Sequence, residues 1–244
     1  FTLVLDALNQ LEERLGARGL HWLPNELPEN MQLLLSTLPG PALDAALEKK
    51  WPTITVQALS LEERRQLTRE FLAQYAKELT DKQIDRIVND PQSKNPLGLR
   101  LLLDELRQFG SHESLEAEMQ RYLEANSIPE LFDRVLARLE RDYEAERPNL
   151  VREALSLLWA ARRGLSEAEL LDMLGSPDLP LPQAIWAPLS LALGKSFFER
   201  AGLLNFFHDF IRQAVQSRYL PSGDEQDAAH LKLADYFARQ EGYL

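Results

Sequence analysis

The sequence opens with an unbroken apolar run that ends in an aspartate, Phe1-Thr-Leu-Val-Leu-Asp6. Such a run is typical of a parallel strand that is covered on both faces and therefore lacks the apolar–polar alternation of a half-exposed strand. The carboxyl ends of parallel strands form the sheet edge at which α/β folds hold phosphates and magnesium. The run therefore favours a parallel α/β arrangement at the start of the chain and makes Asp6 a candidate functional residue.

Two further runs have strand character, Met31–Thr37, which is followed by Pro39-Gly40, and the β-branched stretch Thr53–Leu59. Helical patterns separate the three runs, at residues 8–20 and 40–51. The alternation predicts parallel strands joined by right-handed crossovers over residues 1–59. Because the chain begins inside a strand and without an initiator Met, we expect it to be part of a longer protein.

The pattern becomes helical at Ser60, where Ser60-Leu-Glu-Glu63 forms a capping box. Thr80, Asn95-Pro96 and Ser166 are further helix-start signals. Two short β-like runs at residues 195–200 and 203–207 follow three helices, and these are the parts of a winged helix. The predicted helices are 61–79, 80–89, 97–109, 111–126, 129–146, 150–162, 167–175, 183–193, 208–219 and 224–240.

The fold class is therefore mainly α with a partial α/β part: the C-terminal part of a P-loop-type parallel sheet, then a helical bundle and a winged-helix domain. The domain boundaries predicted with it are 1–59, 60–126, 127–222 and 223–244, the last being the start of a following helical or repeat region.

Composition excludes several classes of protein. Acidic residues outnumber basic ones 38 to 27, which gives a formal net charge of −11. Broad nucleic-acid binding requires a basic face, so this balance argues against it and leaves a local basic patch as the alternative. The chain has no cysteine, which excludes thiolate chemistry and fits a cytoplasmic protein. No stretch of the sequence has the length and apolarity of a membrane span.

Three groups of residues are candidates for a phosphate site, and each has a structural alternative. Asp6 could hold the water shell of Mg²⁺ or cap the helix after the strand. Ser36-Thr37 could hydrogen-bond a γ-phosphate or cap the turn into Pro39-Gly40. His208 precedes a helix whose positive end could hold a phosphate, or it could be a half-buried residue beside a capping aspartate.

One motif and three histidines are set aside. Gly194-Lys195-Ser196 has Leu189 where a Walker A loop needs glycine, and it lies between a helix and a β-run instead of between a strand and a helix. His21, His112 and His230 have no partner at metal-ligand spacing in the sequence and are predicted to be solvated.

In order and spacing, these segments resemble the STAND class of signalling ATPases, and in particular the NACHT-type members followed by WD40 or helical repeats. The segment Leu3–Leu11 is similar to the family's Walker B strand, and residues 21–40 to its connector and sensor 1 strand. Asn95-Pro96-Leu97 is similar to the Gly-x-Pro region of the helical domain. Phe206-Phe-His208-Asp209 lies at the place of the Met-His-Asp motif in the winged helix.

The resemblance implies a role for each candidate residue. Asp6 and Asn9 would be the catalytic residues: Asp6 would organise Mg²⁺, and Asn9 would stand at the position that orients the attacking water. Ser36 or Thr37 would sense the γ-phosphate. Pro96 would pack near the adenine or ribose, and His208 would contact the β-phosphate of ADP in the resting state. Exchange of ADP for ATP would release the winged helix, and the full-length protein would then self-associate as a signalling platform.

Two departures from the family pattern limit the expected activity. Asn9-Gln10 stands where many relatives carry an acid, and no arginine follows Thr37. These changes suit a slow ATPase better than a fast hydrolase. The chain has no Walker A loop, so it is predicted to be inactive alone. The alternative is a non-catalytic scaffold that binds protein partners and retains relic nucleotide motifs.

Overall fold

A computed structural model describes residues 1–108, 112–176, 178–194 and 197–240, and within these ranges the chain is mainly helical. Two compact units divide the chain after Gln57. The strands are β1 Thr2–Leu5, β2 Gln32–Leu35, β3 Phe197–Arg200 and β4 Leu203–Phe206. The helices are α1 Pro41–Glu48, α2 Leu61–Ala73, α3 Asp81–Asn89, α4 Pro96–Leu106, α5 His112–Leu123, α6 Ile128–Tyr143, α7 Leu150–Ala160, α8 Glu167–Leu174, α9 Gln183–Leu193, α10 Asp209–Tyr219 and α11 Gly223–Arg239.

The first unit is built on a two-stranded parallel sheet, in which β1 pairs with β2 from Thr2 opposite Gln32 to Leu5 opposite Leu35. One face of this sheet packs on a small apolar core. The buried members of that core are Leu8, Leu20, Leu23 and Ala42. Parallel pairing was predicted from the apolar runs, and it brings the carboxyl ends of β1 and β2 to the same edge.

Two predicted elements of the first unit are wrong. Residues 8–20 form two short 3₁₀ turns in place of one helix. Leu15, Gly16 and Leu20 have φ between 52° and 69°, and left-handed backbone interrupts an α-helix. The predicted third strand is irregular chain. Ile54 and Val56 there are each 92% exposed, and the sheet formed within residues 1–108 offers this segment no paired neighbour.

Helix-start signals are confirmed in the second unit, which begins at Ala58. Ser60 and Glu63 form the capping box of α2, Thr80 and Gln83 that of α3, and Ser166 and Glu169 that of α8. Helix α2 is shorter than predicted, because Ala76 is left-handed and the Lys77 N–H closes onto the Leu72 carbonyl. This closure is a common helix stop.

The hairpin that follows α9 is antiparallel, with Phe197 opposite Phe206. The segment before α8 joins it through a two-hydrogen-bond bridge between Leu165 and Leu204. Gly164 makes this approach possible, since a Cβ at that position would lie 2.3 Å from the Leu204 carbonyl oxygen. Order and pairing therefore match the predicted helices followed by a hairpin, although the residues 195 and 196 that were assigned to it lie outside the described ranges.

Helix α6 is central to the core of the second unit, because it contacts α4, α5, α7, α9 and α10. Its inward side carries Leu131, Val135 and Leu139, all buried. The same core includes Trp186 of α9 and Val215 of α10, which have no exposed surface. No helix among the described residues is long and apolar enough to cross a membrane.

Glu105 and Arg138 form an ion pair inside this core, linking α4 to α6. Arg138 Nε lies 2.5 Å and Nη2 3.1 Å from the Glu105 carboxylate, and the Tyr122 hydroxyl donates to the same carboxylate at 2.7 Å. Burial raises the pKa of Tyr122, and the negative charge of Glu105 raises it further. The phenol therefore stays protonated and can donate its hydrogen bond. The carboxylate is therefore stabilised by donors from two helices.

Replacing Arg138 with Met should destabilise the second unit by about 3–5 kcal/mol, because it leaves the Glu105 carboxylate buried without its counter-ion. The free energy of unfolding in urea, followed by far-UV circular dichroism, measures this loss. Arg141→Met is the control, since its guanidinium is half exposed and exposed pairs contribute about 1 kcal/mol or less. Equal losses in the two variants would contradict the prediction.

Candidate phosphate-binding residues in two units

Asp6 and Ser36 lie side by side at the carboxyl ends of β1 and β2. The Ser36 hydroxyl donates a hydrogen bond to the Asp6 carboxylate and accepts one from the Ala7 N–H at 2.8 Å. The backbones are also joined, from the Ser36 N–H to the Leu5 carbonyl and from the Leu8 N–H to the Ser36 carbonyl. Ala7 adopts φ 56°, which turns the chain away from the sheet directly after Asp6.

These contacts exclude the capping roles that were the structural alternatives for both residues. The turn at Leu8–Gln10 has no side-chain cap, so Asp6 does not cap the element after the strand. Ser36 likewise bonds across to β1, and the N-cap of α1, Gly40, has no side-chain cap. The two side chains therefore form a solvent-exposed pair at the sheet edge.

Asn9 and Thr37 lie beside this pair with different partners. The Asn9 amide oxygen accepts a hydrogen bond from the Leu38 N–H at 3.3 Å, which fastens the turn after β1 to the turn after β2. The Thr37 hydroxyl donates to the carbonyl of Leu38 at 3.1 Å. Both side chains are partly buried, so Asp6 and Ser36 are the more accessible members of the group.

The strand-end residues fit a magnesium ion that keeps most of its waters. Among the described residues, no group of three or more His, Asp or Glu side chains could hold a metal by itself. A single exposed carboxylate with a neighbouring hydroxyl is the type of protein contribution that Mg²⁺ receives when substrate phosphates complete its shell. Asp6 would hold the ion through water, and the ion would neutralise phosphate charge.

A cleft of about 980 Å³ lies within the second unit and contains His208 in its wall. Its lining includes Leu97 of α4, which is the residue after Pro96, together with the C-terminal part of α9, Phe207 and His208. Pro96 is the first residue of α4 and is exposed. The structure thus brings His208 and the start of α4 to one cleft, although they are more than 100 positions apart.

His208 is the N-cap residue of α10 and makes no side-chain cap with it, while Asp209 occupies the first turn. The first N–H groups of a helix carry partial positive charge and accept anions. Burial lowers the pKa of His208 below 6.5, opposed by Asp209. The imidazole is therefore neutral at pH 7 and can donate one hydrogen bond from its protonated nitrogen.

Sequence reasoning missed the charged residues on the α4 side of the cleft. Asp104 is shared by Arg100 Nε at 2.8 Å and Arg107 Nε at 3.1 Å. The Arg100 guanidinium lies 4.3 Å from the Phe71 ring centroid, and that of Arg107 4.4 Å from the Tyr75 ring centroid. Arg100, Asp104 and Arg107 have the i, i+4, i+7 spacing of a helix. From this spacing the sequence could have predicted that they share one face.

Other predicted residues lie apart from these sites or outside the residues that the structure describes. Lys195 and Ser196 of the Gly-Lys-Ser sequence are outside the described residues, as is the side chain of His112. His21 and His230 are exposed, as predicted. His230 is not isolated, however, because its ring lies 5.4 Å from that of Trp159.

Helix α10 is fixed to α6 by polar contacts. Arg218 donates to the Glu140 carboxylate through Nε at 2.9 Å and Nη2 at 2.6 Å, and to Asp133 at 2.8 Å. The Tyr219 hydroxyl also donates to Glu140, at 2.6 Å. The hydrogen bond from Arg218 lowers the pKa of Glu140 below its usual 4.5. Burial opposes this shift, and the hydrogen bond from Tyr219 adds to it.

Several known proteins are similar to this chain over nearly its whole length. They include a TPR repeat-containing protein of Dictyostelium discoideum, 30% identical over 99% of this chain and 14% of its own length, and the human NACHT domain- and WD repeat-containing protein 1, 28% identical over 97% and 16%. Tetratricopeptide repeat protein 41 of Rattus norvegicus is 28% identical over 98% and 21%. No protein-family model and no solved structure matches the chain.

The chain is therefore related to a group of proteins named for NACHT domains, WD repeats and tetratricopeptide repeats. It spans about one fifth or less of the length of these relatives. The names of the relatives agree with the resemblance in the sequence to NACHT-type proteins followed by repeats.

The Glu140–Arg218 contact predicts that the stability contributed by the packing of α6 on α10 decreases in acid. A carboxylate whose folded-state pKa is lowered stabilises the fold above its unfolded pKa, here 4.5, and this contribution is lost as pH falls through the folded value. Glu140→Gln should therefore lower the thermal midpoint at pH 7 and should lower it progressively less below pH 4.5. Differential scanning calorimetry from pH 7 to pH 3 measures the difference from wild type.

The control for this series is Glu12→Gln, which removes a carboxylate from an exposed pair in the first unit. Its difference from wild type should stay small at every pH, because an exposed pair contributes little. A Glu140→Gln difference that is equally large at pH 7 and pH 3 would contradict the assignment.

Proposed function

We propose that this chain is part of the nucleotide-binding switch module of a NACHT-type ATPase, an ADP/ATP-controlled platform that oligomerises on activation. The observation that carries the proposal is the pairing of Asp6 and Ser36 at the carboxyl ends of adjacent parallel strands. A carboxylate and a hydroxyl at that edge of a parallel sheet suit Mg²⁺ and a terminal phosphate. In the full-length protein a Walker A loop would supply the remaining phosphate contacts.

The roles proposed for the individual residues are those that the resemblance to NACHT-type proteins implies. Asp6 would organise Mg²⁺ through water, with Asn9 fastening the turn beside it and Ser36 or Thr37 contacting the γ-phosphate. His208, neutral at pH 7 and next to the N–H groups of α10, would donate to the β-phosphate of ADP. Pro96 would pack near the adenine or ribose.

The winged-helix assignment is part of this proposal. Helices α7, α8 and α9, the antiparallel β3–β4 hairpin and the Leu165–Leu204 bridge support it by their order and pairing. A contact from His208 to ADP would hold this domain in the resting state. Loss of that contact on exchange for ATP would release it, because packed interfaces change between discrete arrangements.

Exchange of Asp6 for Asn tests the metal role in the full-length natural protein. It should lower Mg²⁺-dependent ATP hydrolysis by about 10²-fold or more, because electrostatic stabilisation of the transferred phosphate depends on the ion. The measurement is steady-state phosphate release. The control, Asp44→Asn, removes an exposed carboxylate of α1 in the same unit and should leave the rate within about twofold. An Asp6→Asn protein as active as the control would remove Asp6 from the site.

Exchange of His208 for Ala tests the switch. It should raise the rate at which bound ADP leaves the full-length protein by about tenfold, since one hydrogen bond to a charged group contributes about 1.5–3 kcal/mol. Release of a fluorescent ADP analogue in stopped flow gives the rate, and mass photometry gives the oligomeric state. His21→Ala is the control at an exposed histidine. Unchanged release and unchanged assembly would exclude His208 from the switch.

The second candidate function is a non-catalytic scaffold that binds protein partners. Two exposed apolar side chains in the lining of the cleft favour this function. Leu191 is 84% exposed and Phe207 is 56% exposed. The full-length protein separates the two functions. Saturable binding of ATP or ADP that requires Mg²⁺ supports the switch, whereas the absence of any nucleotide binding with retained self-association supports the scaffold.

A further inference from the structure

Trp159 is a buried indole whose N–H has no acceptor. The side chain lies near the C-terminal end of α7 and is 7% exposed, and its Nε1 atom makes no hydrogen bond with the described residues. Two other indoles of the chain are satisfied: Trp22 donates to the Ala17 carbonyl at 2.8 Å and Trp186 to the Glu167 carboxylate at 2.7 Å. Buried N–H groups nearly always have partners, so Trp159 requires an explanation.

Arg212 covers the Trp159 ring, with its guanidinium carbon 5.2 Å from the ring centroid. It is half-buried in the first turn of α10, and no described carboxylate forms an ion pair with it. Burial lowers the pKa of Arg212, and the charge of Asp209 only partly opposes this. Arg218 on the same helix shows the contrast, because its hydrogen bond to Glu140 raises its pKa. Arg212 is therefore a partly desolvated cation without a counter-ion in contact.

His230 of α11 lies on the same indole, with 5.4 Å between the ring centroids. It is exposed, and among the described groups no hydrogen-bond partner is present for it. Arg162 and Arg163 follow Trp159 by three and four positions and are exposed as well. Arg212 of α10 and His230 of α11 thus lie against one indole of α7 whose own N–H lacks an acceptor, in a chain whose net charge is −11.

We propose that Trp159, Arg212 and His230 form a binding site for a phosphate group, either a free ion or a phosphate monoester. A guanidinium presents a planar fork of N–H donors that matches phosphate oxygens, and such charge-assisted bonds are the stronger ones. Phosphate has enough terminal oxygens for donors from three helices, whereas a carboxylate has two. The ligand would also supply the counter-ion that Arg212 lacks among the described carboxylates.

His230 and Arg212 are the two less buried members of the proposed site, and Trp159 is buried. The exposed imidazole and the half-buried guanidinium meet an incoming oxyanion first, and their displacement lets an oxygen reach the indole N–H. Asp209 is the acidic group that acts on Arg212, and it opposes binding. The site is independent of the proposed nucleotide switch, because none of the three residues lines the cleft or lies at the strand ends.

Titration of the 244-residue chain with inorganic phosphate tests the site. In a ¹H–¹⁵N correlation spectrum the indole signal of Trp159, assigned with a Trp159→Phe variant, should shift in a saturable manner, while the signals of Trp22 and Trp186 stay in place. Arg212→Gln should weaken binding by about tenfold or more. Arg69→Gln removes the same charge from an exposed pair on α2 and should change affinity less than about twofold.

His230→Gln is the second variant, because an exposed residue can be replaced without loss of the fold. It should weaken phosphate binding several-fold even where Arg212→Gln is unstable. A parallel titration with O-phosphoserine separates the two ligand sources: tighter binding of the ester identifies a monoester ligand, and tighter binding of inorganic phosphate identifies the free ion. Absence of a saturable Trp159 shift with both, or equal affinity in wild type and His230→Gln, would overturn the proposal.

Discussion

The burial of helix α6 is the constraint on which the second unit depends. Its apolar stripe, with Leu131, Val135 and Leu139, packs where α4, α7, α9 and α10 meet, so each of these helices is positioned by a surface they share. Polar contacts add further links between these helices, with Arg138 joining α6 to α4 and Glu140 joining α6 to Arg218 of α10. The cleft beside His208 is lined by residues of α4, α6, α9 and α10.

Local signals made the helical part predictable from sequence. Ser60, Thr80 and Ser166 each accept the predicted backbone N–H three residues later, and such caps depend only on residues within one turn. The hairpin was also predictable, because Ala201 and Gly202 supply the two positive-φ residues of its turn. Contacts between distant segments were not: Arg138 with Glu105 and Arg218 with Glu140 join positions 33 and 78 residues apart.

The first unit was predicted less well because its elements depend on non-local partners. A β-branched segment such as Thr53–Leu59 gains stability as a strand only from the strand next to it. With β1 and β2 as the only strands described in residues 1–57, Ile54 and Val56 remain exposed. The parallel β1–β2 ladder nevertheless formed as predicted, and with it the juxtaposition of Asp6 and Ser36, because two neighbouring strands suffice for that edge.

A comparison of arginines with and without carboxylate partners indicates where this acidic chain would bind an anion. Arg138 and Arg218 are buried or half-buried and have carboxylates at hydrogen-bond distance, so their positive charge is neutralised within the fold. Arg212 is half-buried and lacks such a neighbour, and it lies over the ring of an indole whose N–H also lacks an acceptor. Burial of a charge without compensation costs free energy. A site that bears this cost gains more from an arriving anion than an exposed arginine does, and in this respect Arg212 differs from Arg138 and Arg218, whose charges are already paired.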